Sequence, residues 1–114
     1  MFAAFSIPIV FADTTNLDTH KSRFPTLPEG FEISLYASEP LIRNPTCIAF
    51  DRIGRAYVAQ GPQFRKPKKD TPGDSIKILI DHDDDGVADA AKTFAQGFNS
   101  IHGLAWKGND LYVA

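Results

Sequence analysis

The chain has 114 residues, of which 43% are hydrophobic, 23% charged and 11% aromatic, a composition that excludes disordered, collagen-like and coiled-coil classes. Twelve Lys and Arg against fourteen Asp and Glu leave a net charge of -2, which gives no electrostatic basis for binding nucleic acid or an anionic membrane. The single cysteine, Cys47, excludes an internal disulfide framework, a Cys-rich zinc site and a Cys-x-x-Cys redox pair, so any metal must be held by oxygen or histidine.

Residues 2–12 form an uncharged apolar run, shorter than the roughly 20 residues a membrane-spanning helix needs. The run matches the apolar region of an export signal, with Val10 and Ala12 at the third and first places before Asp13, although no positively charged segment precedes it. Residues 1–12 are therefore expected to be a signal peptide and residues 13–28, rich in Asp, Thr, Asn, Ser and Pro, a polar leader. The protein is expected to be exported, to a periplasmic or cell-surface location.

From residue 29 the pattern is that of short strands. Phe31, Ile33, Leu35 and Ala37 alternate with polar residues and predict a half-buried strand. Residues 47–50 and 55–60 flank a turn at 51–54 and predict a hairpin. A long loop rich in Gly, Pro and Lys follows over residues 61–73, then a third strand at 75–80, an acidic turn at 81–89 and a weaker fourth strand at 91–95. An internal repeat joins these elements. Residues 45–51 align with 101–107, and Tyr57-Val58-Ala59 with Tyr112-Val113-Ala114, a one-residue turn deletion reconciling the two offsets. Four strands per period predict an all-β fold, a partial β-propeller with about one and a half four-stranded blades of a six-bladed ring; chance similarity is the alternative. The repeat breaks off within its second copy, so residues 29–114 are expected to be the N-terminal part of a larger propeller that the rest of the ring completes.

Leu27-Pro-Glu-Gly-Phe-Glu-Ile, Asn44-Pro-Thr-Cys-Ile-Ala-Phe-Asp, Gly54-Arg-Ala-Tyr-Val-Ala, Asp81-His-Asp-Asp-Asp-Gly-Val-Ala-Asp and His102-Gly-Leu-Ala-Trp, in that order, resemble the membrane-bound dehydrogenase domain of planctomycetes and verrucomicrobia. That family is related to the glucose and sorbosone dehydrogenase propellers that use pyrroloquinoline quinone, and often carries helical repeats and a c-type haem domain downstream. The resemblance implies oxidation of sugar alcohol or aldehyde groups in the full-length protein, with this segment inactive alone. It implies pyrroloquinoline quinone as cofactor, and haem c only outside these residues, which hold no Cys-x-x-Cys-His. A non-catalytic propeller scaffold for polysaccharide or protein partners is the alternative.

Asp81, Asp83, Asp85, Gly86 and Asp89 form Asp-x-Asp-x-Asp-Gly-x-x-Asp, in which carboxylates at the first, third and fifth places of a tight loop can converge on calcium, a hard cation that takes several oxygens. The carbonyl of Val87 is expected to contribute. Lys92 stands where an EF-hand loop has its bidentate Glu, so a structural ion of modest affinity is expected; a solvated acidic turn is the alternative. In a propeller this loop lies on the face opposite the cofactor mouth. His102, at the start of an inner strand on the mouth face, is the candidate catalytic base for a substrate alcohol, against a packing role beside Gly103. Asn44, Pro45 and Thr46 occupy the equivalent place in the first blade. Arg65, Lys66, Lys68 and Lys69 in the long loop could steer an anionic ligand or form a solvated basic surface. Cys47, the pair Tyr57 and Tyr112, and the pair Phe50 and Trp106 are read as packing residues.

Overall fold

The computed structural model describes residues 10–11, 23–62 and 73–114. Seven strands account for all of its regular structure, and no described helix is long and apolar enough to cross a membrane. Strands β2 (Pro45–Phe50), β3 (Ala56–Gln60), β4 (Asp74–Ile80) and β5 (Ala90–Phe98) form an antiparallel meander in chain order, and the short β1 (Val10–Phe11) pairs with the free edge of β5. Strands β6 (Leu104–Lys107) and β7 (Asp110–Val113) form a separate hairpin.

Local chemistry explains the turns. Asp51 closes the β2–β3 connection, its Oδ1 accepting the backbone N–H groups of Ile53 and Arg55 and its Oδ2 meeting Arg55 Nε at 2.6 Å. Gly54 takes the left-handed φ of 86° that the reversal requires. In the β6–β7 hairpin Gly108, at φ 63°, is the first of two central residues, the position a type II′ turn reserves for glycine.

The two hairpins have the same register. Ile48 faces Val58, Ala49 faces Tyr57 and Phe50 faces Ala56, while Leu104 faces Val113, Ala105 faces Tyr112 and Trp106 faces Leu111. Each pair in the second hairpin is the sequence-repeat counterpart of a pair in the first. The repeat is therefore structural, and the deleted residue falls in the turn.

Both faces of the four-stranded sheet are covered, so β3 is buried at Ala56, Tyr57, Val58 and Ala59 without alternation. Ala56, Val58, Leu79 and Ala91 on one face pack with Leu41, Tyr36, Ala37 and Ile42. Tyr57, Ala59 and Ile76 on the other pack with Ile101, Leu104, Trp106 and Leu111. Tyr57 is the centre of an aromatic group, edge-on to Trp106 at 4.9 Å and to Phe94 at 5.1 Å.

Two expectations change. Residues 31–37 form no strand: Phe31 and Ile33 are exposed, and the chain from Tyr36 onward packs on a sheet face instead of joining an edge. The fourth strand is longer than residues 91–95, because it runs through two irregularities. Ile76 pairs with Ala95 and Lys77 with Thr93, leaving Phe94 as an extra residue; Gly97, at φ 89°, is extra in the same way between Gln96 and Phe98. Of the apolar N-terminal run only Val10 and Phe11 lie among the described residues, facing Ala91 and Ala90. The polar leader up to residue 22 and the basic residues Arg65, Lys66, Lys68 and Lys69 lie outside them.

Candidate functional site

The register fixes which residues share an end of the sheet. Ala56 faces Leu79, and Ile80 faces Ala90, so the turn at 51–55 and the acidic loop at 81–89 emerge together. Gln60 faces Ser75, and Asp74 faces Phe98, which places Asn44 and residues 99–103 at the opposite end.

The acidic loop is held by its own side chains. Asp81 Oδ2 accepts Gly86 N–H at 3.0 Å, Asp89 Oδ2 accepts His82 N–H at 2.8 Å, and Asp85 Oδ1 accepts Val87 N–H at 2.8 Å. Asp84 and Gly86 both adopt left-handed backbone, at φ 59° and 85°, which folds the loop back on itself. The loop is tied to the rest of the molecule by Ala88 N–H, which donates to the Tyr36 carbonyl at 2.7 Å, and by Asp89 N–H on the Ile80 carbonyl at 2.9 Å.

Carboxylate oxygens of Asp81, Asp83 and Asp89 lie within 4.8 Å of one another. Two oxygens on opposite sides of one calcium ion are separated by about 5 Å, given metal–oxygen distances of roughly 2.3–2.6 Å. The three carboxylates thus fit around one ion. Asp81 Oδ1 is buried with no hydrogen-bond partner, an arrangement that costs free energy in the absence of a cation. The charge of Asp81 is felt nearby: burial first, and then this carboxylate, push the Tyr36 phenol above its usual 10.0. Of the residues predicted as ligands, Asp85 stands outside the cluster, its carboxylate engaged by Val87 N–H, and Val87 enters the loop through that N–H.

At the other end, Asn44, Pro45, Thr46 and His102 line one pocket. The two places related by the repeat are side by side. His102 is exposed, and its segment is fixed by backbone bonds: His102 N–H and Gly103 N–H both donate to the Ala114 carbonyl, at 2.7 and 3.1 Å. The anchor just before it is Asp74, which is buried and accepts Ile101 N–H through Oδ2 at 3.0 Å. Sequence reasoning missed Asp74; its signal is a carboxylate opening a strand that is otherwise rich in isoleucine.

The packing residues divide. Tyr57 is buried against Trp106, but Tyr112 and Phe50 are exposed. Cys47 is partly buried, with its thiol 3.7 Å from Thr46 Oγ1.

No curated protein and no solved structure matches the chain. One family does, over residues 20–114, a range that takes in every strand from β2 to β7, the acidic loop and the His102 pocket. The chain therefore belongs to the family described as a domain of unknown function (DUF7133).

Proposed function

We propose that this chain supplies the first blade and the opening hairpin of the second in an exported β-propeller resembling the quinone-dependent sugar dehydrogenases, with a structural calcium ion in the 81–89 loop. The observation that carries the reading is the shared register of the two hairpins, since a ring of blades is built by repeating one pairing pattern. Three further features agree with it. β2 and β6, the first strands of the two copies, lie beside each other in separate sheets, as inner strands of successive blades do. The meander β2–β5 has four strands, the number in a blade. Cleavage of the export signal after Ala12 would remove β1 and leave that blade intact.

Calcium in this reading is a clamp. It would be held by Asp81, Asp83 and Asp89 at the end of the sheet away from His102, tying the β4–β5 loop to the Tyr36 segment through Ala88. With three carboxylates and no terminal Glu, the dissociation constant should fall at about 10⁻⁴ to 10⁻³ M. Calcium titration of the full chain by calorimetry should show saturable binding that Asp81→Asn and Asp83→Ala each weaken at least about tenfold. Equal binding by wild type and both variants refutes the clamp.

The redox reading rests on the motif resemblance and on the pocket that His102 shares with Asn44 and Thr46. A bound quinone would supply the hydride acceptor; His102 would take the hydroxyl proton of a sugar substrate. The test is reconstitution of the protein carrying its whole ring with pyrroloquinoline quinone and calcium, followed by dye reduction over a sugar panel. Absence of quinone binding overturns the enzyme reading. The alternative is a non-catalytic propeller scaffold for polysaccharide or protein partners. Retention on polysaccharide without quinone binding would decide for the scaffold.

A further inference from the structure

A second concave site, sharing no residue with the His102 pocket, lies where the 41–44 turn meets the sheet. It is a cleft of about 520 Å³, and the strand register explains its polar wall. Gln60 on β3, Ser75 on β4 and Gln96 on β5 face one another in a row, and Lys77 is the next residue of β4 on the same face. Arg43 reaches the cleft from the turn.

We propose that this cleft binds a small oxyanion between Arg43 and Lys77. Nearly every polar group there is a donor with capacity to spare. Lys77 Nζ uses one of its three N–H bonds on the Leu41 carbonyl at 3.2 Å. Gln60 is oriented at both ends: its Oε1 accepts Arg43 N–H at 3.1 Å and its Nε2 donates to Ser75 Oγ at 3.0 Å. One Nε2 hydrogen and the Ser75 hydroxyl hydrogen remain, together with the Arg43 guanidinium fork. No described carboxylate lines the cleft or forms an ion pair with either cation.

The electrostatics agree. Burial first, and then the neighbouring charge of Arg43, push the Lys77 ammonium below its usual 10.5. Two cations that repel across a donor-lined cleft are both relieved by an anion placed between them. Carboxylate, sulfate and phosphate share this chemistry. The donor set of the cleft is independent of the His102 pocket and of any quinone chemistry there.

The experiment is an amide chemical-shift titration of the full chain with sodium acetate, sodium sulfate and inorganic phosphate in turn, at ionic strength held constant with chloride. At least one anion should give saturable shifts centred on Gln60, Ser75 and Lys77. Arg43→Gln and Lys77→Met should each weaken that binding about tenfold or more, the scale of one lost charge-assisted hydrogen bond. Arg43 is exposed, so its substitution leaves the fold in place and keeps the test open if Lys77→Met unfolds. Lys107→Gln, on the separate hairpin, should change nothing. Saturation by acetate alone assigns a planar carboxylate ligand, and saturation by sulfate or phosphate alone a tetrahedral one. No saturation by any of the three, or an equal loss in Lys107→Gln, overturns the proposal.

Discussion

Alternate residues of the same four strands face two different covers. On one face Tyr57, Ala59 and Ile76 meet the β6–β7 hairpin, a segment with a ladder of its own, which packs there through Leu104, Trp106 and Leu111. On the other, Ala56, Val58 and Leu79 meet residues 36–42, which have no ladder of their own. Here side chains of the sheet bond to that backbone: Lys77 Nζ donates to the carbonyl of the buried Leu41, and Gln60 Oε1 accepts the N–H of the exposed Arg43. Polar residues at inward positions of a strand are thus the counterpart of an irregular cover.

The two faces should therefore respond to substitution in different ways. The largest effect belongs to the hairpin face. Tyr57→Ala removes a ring that is 2% exposed and both of its aromatic contacts, and should cost about 3–5 kcal/mol in denaturant unfolding. A loss below about 1 kcal/mol would mean that the hairpin does not pack there in solution. On the irregular face, Gln60→Leu keeps the volume but strips the partners of Arg43 N–H and Ser75, and should cost about 1–3 kcal/mol by the same measurement. A neutral result would show that water serves these groups equally well. Lys77→Met should move stability by less, about 1 kcal/mol in either direction, because loss of the Leu41 bond is offset by relief of a partly buried charge.

The contrast also explains what the sequence reveals and what it conceals. β2, β3 and β4 are legible because β-branched and aromatic residues run between turn residues such as Asp51 and Gly54. β5 is legible only in part, since the extra residues Phe94 and Gly97 break the period-2 pattern that alternation depends on. The alternation at residues 31–37 misleads for a different reason: no strand edge receives it, and Phe31 and Ile33 face solvent. In the acidic loop, spacing singles out Asp81, Asp83, Asp85 and Asp89 alike, and it cannot show that three of these carboxylates cluster while Asp85 is engaged by a backbone N–H two residues on. The cleft of Arg43, Gln60 and Lys77 has no sequence signature, because segments distant in the chain meet there only through the irregular cover.

The smallest effect joins the two ends of that cover. Tyr36 lies on the irregular face, while its carbonyl holds the acidic loop through Ala88. Its phenol is raised above 10.0, first by burial and then by the Asp81 charge, so the neutral form is favoured in the fold relative to the unfolded chain. The sign follows by linkage: this contribution to stability is complete below pH 10.0, the unfolded value, and is lost as pH rises through the higher folded value. Asp81→Asn removes the smaller cause and should bring the Tyr36 titration part of the way down, read as phenolate difference absorbance against Tyr36→Phe. Calcium should move wild type in the same direction, since a cation bound at Asp81 cancels the same charge. A calcium-induced shift that persists in Asp81→Asn would place the ion elsewhere. A shift that vanishes there ties the loop and the cover into one electrostatic unit.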